Sequence, residues 1–379
     1  MNRRKTVVFA LIAVFAALAA VEIAARVYMR AADMPRHRER RVGNPYHPYL
    51  GWEHAAGMVM RTANPCGGKS SVIRTNEKGY SITPLAPDDP ELVVVMTGGS
   101  ATMGIGATDN AHTVPSVLER LLAGEFGVAA EVVNLGTRGY QSFQEMLALR
   151  RYFLESGADL VLALSGRNDA YFGAIFPEPR AVTFPDRIYG IAERVRAMER
   201  GAGCMDPLPW LRKWSAAVDL AAAAARQGPA MDRVFNWRID SRGDMSTMNV
   251  PMRVDAMGEH FAMAASLCRE NGAGFVFMLQ PTAFSRKQLT PGEASCLDLN
   301  SPKTRYLARY ERSFYHAFRR RETAFSAVDL SGVFDDVAVD AFVDVCHYSD
   351  RGAEILAREI LEEIRPTVEA ILAPPDPGP

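Results

Sequence analysis

Ser100, Asp344 and His347 are the residue types of a nucleophile, an orienting acid and a general base, and together they would perform acyl transfer. A serine hydroxyl is a poor nucleophile until a neighbouring base takes its proton. His347 is the natural base, because imidazole titrates near neutrality and can pass the proton on to a leaving alcohol. Asp344 stands three residues earlier in Asp344-Val345-Cys346-His347, so one loop can preorganise both side chains and fix the ring tautomer. The remaining histidines, such as His112, His260 and His316, fall within helical patterns and read as surface or core residues.

These residues need elements to carry them. The run Glu91-Leu-Val-Val-Val-Met-Thr97 reads as a strand and feeds directly into Gly98-Gly99-Ser100, whose glycines permit a tight turn that leaves the serine at the carboxyl edge of a sheet. Open α/β sheets place their chemistry at that edge. Asn134-Leu135-Gly136-Thr137-Arg138-Gly139-Tyr140 follows a second strand-like run, and Gly166-Arg167-Asn168-Asp169 follows a third. Strands are expected at 91–97, 130–134, 159–165, 274–280 and 326–330. Helical patterns are expected at about 113–126, 141–155, 252–271, 302–321 and 350–364. Apolar, non-alternating strands separated by helices imply a five-stranded parallel sheet with helices on both faces, in a flavodoxin-like doubly wound order.

The four blocks around Ser100, Gly139, Asn168 and His347, in this order and at such strand ends, resemble the SGNH (GDSL-type) hydrolase family over roughly residues 91 to 365. The resemblance implies the same doubly wound α/β fold. It also implies an oxyanion hole made by the Ser100 amide, the block-two glycine amide and the Asn168 side chain. Alignment on Asn134 places that glycine at Gly139; Gly136 is the rival and is expected to serve the turn. One departure stands out: the family's first block usually reads Gly-Asp-Ser, whereas Gly99 replaces the aspartate here. The rival Gly-x-Ser-x-Gly elbow is absent at Ser100, which argues against an α/β-hydrolase. Asp169 is expected to support loop geometry, and Arg138 and Arg167 to be solvent-exposed beside the oxyanion donors.

The function implied is a serine ester hydrolase that removes an O-acyl group, O-acetyl above all, from an envelope or extracellular glycan through an acyl-Ser100 intermediate. This route needs no metal or organic cofactor. One alternative is an O-acetyltransferase of the same fold, in which a sugar hydroxyl replaces water. Another is a catalytically silent glycan-binding or assembly protein.

With 379 residues and 48% hydrophobic content, the chain can bury one large core with inserted lobes. A net charge of −1 and a pI near 6.7 give no electrostatic case for nucleic acid or an acidic polymer. At the N-terminus (1–30), Arg3, Arg4 and Lys5 precede an uncharged apolar run from Val7 to Val21. That run fits a cleaved signal peptide or, because apolar character continues to Met29, a signal anchor placing the catalytic domain outside the cytoplasmic membrane. The arginines that follow the run oppose export by the positive-inside rule, but long folded domains translocate largely regardless of charge.

Residues 31–90 read as a Pro-punctuated linker and a small hairpin-rich cap, in which Trp52 and Tyr80 pack on the core. Residues 170–249, with Trp210, Trp214 and Trp237, read as an insertion placed to form a lid, or else a peripheral helical lobe. Residues 366–379 read as a disordered tail. Among the five cysteines, Cys268 suits a buried thiol, and Cys296 and Cys346 are the expected disulfide because both fall in segments at the carboxyl edge of the sheet.

Overall fold

The computed structural model describes residues 3–31, 46–47, 49–64, 66, 70–175, 215–218, 249–297 and 299–374. The linker expected near 33–48, apart from Tyr46 and His47, lies outside these residues, as do Trp210, Trp214, Trp237, Cys204 and nearly all of the expected lid. The chain divides into two units, Met1–Gly43 with Tyr189–Val234, and Asn44–Ile188 with Phe235–Pro379.

In the first unit, α1 runs from Arg3 to Ala31. The Glu22 carboxylate accepts hydrogen bonds from the Ser215 hydroxyl at 2.8 Å and from the amides of Ala216 and Ala217 at 2.9 and 3.1 Å. Ala25 and Ala216 are buried against each other. Among the described residues no helix is long and apolar enough to cross a membrane. The expected membrane helix is therefore not supported. Its uncharged run is shorter than the roughly 20 residues a span requires, and Glu22, which would end it, is engaged by polar protein groups.

The second unit is built on a five-stranded parallel sheet of β5 (Leu92–Gly98), β6 (Ala130–Asn134), β7 (Leu160–Ser165), β8 (Gly274–Leu279) and β9 (Ser326–Asp329), in the order β6-β5-β7-β8-β9. This is the doubly wound order expected, with the strand carrying Ser100 next to the edge. Side chains alternate across the sheet as the pleat requires. Leu92, Val94, Met96, Leu160, Leu162, Leu164 and Met278 enter one core with α3 (Val114–Phe126) and α9 (Asp350–Leu372). Val95, Val161, Ala163, Phe277 and Leu279 enter the other with α4 (Ser142–Tyr152), α5 (Arg167–Ile175), α6 (Val250–Glu270) and α8 (Pro302–Arg319).

Helix ends follow local chemistry. Thr113 caps α3 through the Ser116 amide, Ser301 caps α8 through the Thr304 amide, and Ser349 caps α9 through the Gly352 amide. Helix α9 continues past the expected end and through Pro366 to Leu372, because Ile364 and Val368 extend its buried apolar stripe. Residues 366–372 of the expected tail therefore belong to α9, and residues 375–379 lie outside the described residues.

The cap is two antiparallel hairpins, β1 (Tyr46–His47) with β2 (Gly51–Trp52), and β3 (Val59–Thr62) with β4 (Ser71–Arg74). Cys66, between β3 and β4, forms a disulfide with Cys296 at the end of α7 (Pro291–Cys296). The expected Cys296–Cys346 pairing is thus incorrect. Cys296 is taken by the cap, whose position spacing along the chain does not report, and Cys346 is a free thiol. Cys268 is the buried thiol expected, and burial pushes its pKa up to about 12.

Candidate active site

Ser100 opens α2 (Ser100–Met103), a single helical turn entered directly from β5. Close approach explains both glycines before it. A Cβ on Gly98 would overlap the Thr102 hydroxyl and the Leu164 carbonyl, and one on Gly99 would overlap Asn168 Nδ2. Gly99 is therefore more than a lost aspartate: it is the space into which the Asn168 amide fits.

The C-terminal loop brings His347 to this turn across 247 positions of sequence, with Nε2 2.7 Å from Ser100 Oγ. On the far side of the ring, Nδ1 is 2.6 Å from Asp344 Oδ2. The other carboxylate oxygen, Oδ1, accepts the amides of Cys346 at 2.9 Å and His347 at 2.8 Å, so the Asp-x-x-His spacing folds onto itself. Elements from elsewhere hold the loop. Gln280 Nε2 donates to the Cys346 carbonyl at 3.1 Å, and the Tyr348 hydroxyl donates to the Pro281 carbonyl at 3.0 Å. A Cβ on Gly106, just after α2, would overlap the Tyr348 carbonyl, so the two loops touch backbone to backbone.

The electrostatics match this geometry. Burial works against charge on Asp344, but the His347 ring and the two loop amides outweigh it and hold the carboxyl well below its usual range. Burial likewise disfavours a charged His347, yet the neighbouring Cys346 side chain and the Asp344 carboxylate outweigh it and raise the ring above its ordinary value. The pair is thus built to stabilise an imidazolium.

The three hydrogen-bond donors expected to meet an oxyanion have these surroundings. The Ser100 amide is the first N–H of α2, and the Gly139 amide lies in a turn at φ +80°, a conformation that favours glycine. Neither amide has a protein acceptor among the described residues. Asn168 Nδ2 donates one proton to the Tyr140 carbonyl at 2.7 Å and keeps a second. The rival Gly136 is committed elsewhere: its amide donates to Asn134 Oδ1 at 2.9 Å, and a Cβ there would overlap the backbone of Thr102 and Met103. Asn134 Nδ2 also donates to the Thr102 carbonyl at 3.0 Å, so the start of block two pins the serine turn.

Several supporting contacts were not read from the sequence. Trp52 Nε1 donates to the Arg138 carbonyl at 3.0 Å, the Tyr140 hydroxyl donates to the Trp52 carbonyl at 2.6 Å, and the rings lie 5.9 Å apart. This clasp fixes the backbone on both sides of Gly139. Asp169 accepts from the Ser142 amide at 3.0 Å and hydroxyl at 2.6 Å, anchoring α4 to α5 beneath the loop, and His260 Nδ1 lies 2.9 Å from the same hydroxyl. The polar Ser142 at a helix start was the only local signal of this contact. Arg138 is exposed as expected. Arg167 is not: it is buried, 3.0 Å from the buried carboxylate of Glu311, with its guanidinium over the rings of Tyr171 and Phe284. Its place at the start of α5 turns it into the core against α8.

No protein-family model matches the chain, and no curated protein matches it. Solved structures similar to it include TesA, at 16% identity and a TM-score of 0.36, covering 74% of this chain and 99% of that one. Axe2, an acetylxylan esterase from Geobacillus stearothermophilus, is similar at 16% identity and a TM-score of 0.36, covering 73% and 94%. A putative arylesterase from Agrobacterium tumefaciens is similar at 15% identity and a TM-score of 0.35, covering 73% and 99%. Likenesses this distant do not bear on the chain's activity.

Proposed function

We propose that the chain is a serine ester hydrolase of the SGNH type, acting through an acyl-Ser100 intermediate. The observation that carries this reading is the continuous hydrogen-bonded line from Ser100 Oγ through His347 to Asp344, with 2.7 and 2.6 Å separations. Ser100 Oγ attacks the ester carbonyl while His347 Nε2 takes its proton. Asp344 holds the proton on Nδ1 and stabilises the imidazolium without itself being protonated. The oxyanion of the tetrahedral intermediate meets the Ser100 and Gly139 amides and the second Asn168 proton. Collapse expels the alcohol, protonated by His347, and water then repeats the sequence to release the acid.

The proposed substrate is an O-acetyl ester on a glycan, following the resemblance of the four blocks. The Cys66–Cys296 disulfide suits an oxidising compartment, which supports a site of action outside the cytoplasm. A reporter enzyme fused at the C-terminus tests that location, and activity of the cytoplasmic form would reverse it.

The test of the chemistry is a fluorophosphonate probe together with p-nitrophenyl acetate and acetylated glycans, each with and without a sugar acceptor. Wild type should be labelled and should hydrolyse acetate faster than dodecanoate; Ser100→Ala should do neither. Wild-type ester turnover by purified Ser100→Ala would reduce Ser100 to a turn residue.

A further inference from the structure

Cys346 is the residue of the catalytic loop that the reaction above leaves unused. Its thiol is free and half-buried, and its Sγ is 3.9 Å from His347 Nδ1. One donor atom each from Asp344, Cys346 and His347 lie within 4.8 Å of one another. We propose that these three side chains form an inhibitory site for a thiophilic divalent cation, Zn2+ above all, which arrests the enzyme by capturing His347 Nδ1. The inhibitory half of this inference rests on the reading of Ser100, His347 and Asp344 as the reacting groups; the binding half does not.

The donor set is the one zinc selects: a thiolate, an imidazole nitrogen and a carboxylate oxygen. Bonds of about 2.3 Å to sulfur and about 2.1 Å to nitrogen and oxygen, at tetrahedral angles, set the S–N edge near ~3.5 Å and the N–O edge near ~3.4 Å. The apo separations are 3.9 Å for Sγ to Nδ1 and 2.6 Å for Oδ2 to Nδ1. Sulfur must therefore close in by about 0.4 Å and the carboxylate oxygen open out by about 0.8 Å, which side-chain rotation supplies. The outer shell is already in place, since Asp344 Oδ1 is held by two amides and leaves Oδ2 for the metal. The site lies near the surface on the carboxylate side, the Asp344 side chain being 31% exposed and that of His347 14%. A water would complete the fourth position.

The proton count explains the inhibition. On binding, the Cys346 thiol gives one proton to solvent and becomes a thiolate ligand. The imidazole keeps its single proton, but that proton leaves Nδ1 for Nε2 by way of solvent. Nε2–H now points at Ser100 Oγ as a donor and has no lone pair to accept the serine proton. The cation thus stops catalysis without occupying the acyl or alcohol subsites, so inhibition should lower kcat more than it raises KM.

Cd2+ reports the site directly, through the ultraviolet charge-transfer band of a cadmium thiolate in the full-length chain. Wild type and Ser100→Ala should both show the band, and Cys346→Ser and Cys346→Ala should lose it. In the turnover assay, Zn2+ should inhibit wild type reversibly to chelator. Each cysteine variant, scored as the ratio of its own rates with and without Zn2+, should need at least ~10-fold more metal, as expected when a ligand is removed. A cadmium band that persists in both cysteine variants, or an unchanged Zn2+ midpoint in them, overturns the site. If Ser100→Ala retains turnover while the band follows Cys346, the catalytic reading has failed and the metal site stands.

Discussion

Adding one methyl group at Gly99 should remove most of the activity without unfolding the protein. The new Cβ would fall well inside 3.0 Å of Asn168 Nδ2, the end of a flexible side chain, so the amide swings away and the backbone stays. Two things are lost: the 2.7 Å bond from Asn168 to the Tyr140 carbonyl, and the aim of the second amide proton at the oxyanion. The first is a partly buried neutral hydrogen bond, worth about 0.5–1.5 kcal/mol to stability. The second is one oxyanion donor, worth about 10²–10³ in kcat, or about 2.7–4 kcal/mol of transition-state binding. Gly99→Ala should therefore lose kcat on that scale, with a small fall in Tm and a KM close to wild type.

The double variant makes the reasoning strict. Asn168→Ala alone should lose kcat to a similar extent, and Gly99→Ala added to it should cost little more, because the methyl group then has nothing to displace. Residues acting through one contact are non-additive in this way. Steady-state kinetics on p-nitrophenyl acetate and thermal melts of the four proteins decide it. Wild-type kcat in Gly99→Ala, or losses that simply multiply in the double variant, would refute the account of Gly99 as the seat of Asn168.

Asp344→Asn should cut kcat by about 10⁴ through the wrong tautomer. Because the carboxylate raises the His347 pKa and only the neutral ring accepts the serine proton, wild-type activity should rise with pH through a value above the ordinary histidine range. The residual activity of Asp344→Asn should rise at lower pH than that, and an acid limb that stays put would count against the pair. Arg167→Ala strands the buried Glu311 carboxylate and should cost about 3–5 kcal/mol in urea denaturation, with KM of the folded fraction little changed; undiminished stability would show the pair to be dispensable. Digestion without reductant should yield a Cys66–Cys296 peptide and an alkylatable Cys346, and losing the link by Cys66→Ser should cost about 2–5 kcal/mol given a separation of 230 residues. Recovery of a Cys296–Cys346 peptide would overturn the pairing.

The sheet was legible because its central strands are buried on both faces and so read as apolar runs, as Leu160–Ser165 does between Asp159 and Gly166. Strand ends then located the site, since a parallel sheet gathers every strand's carboxyl end at one edge: Ser100 from β5, Gly139 after β6, Asn168 after β7. Helix ends were less legible where packing overrode local propensity. Pro366 reads as a breaker, yet α9 passes through it because Ile364 and Val368 are buried on either side.

What the sequence concealed was contact between residues whose separation carries no period. The Tyr140 hydroxyl secures the Trp52 carbonyl across 88 positions while the Trp52 ring secures the carbonyl of Arg138, and nothing in either neighbourhood names the other. Arg167 stands beside Asn168 in sequence, yet successive residues on a helix point in different directions. Asn168 turns to Tyr140 while Arg167 turns inward to Glu311 on α8. The cysteines illustrate the same limit: Cys296 and Cys346 read as segments of one edge, but Cys296 is bonded to Cys66 of the cap. That choice leaves a free thiol next to the histidine of the reaction, where a disulfide would have left none. The free thiol beside His347 therefore follows from where a hairpin of the cap lands, and that is settled by a disulfide joining residues 230 positions apart in the chain.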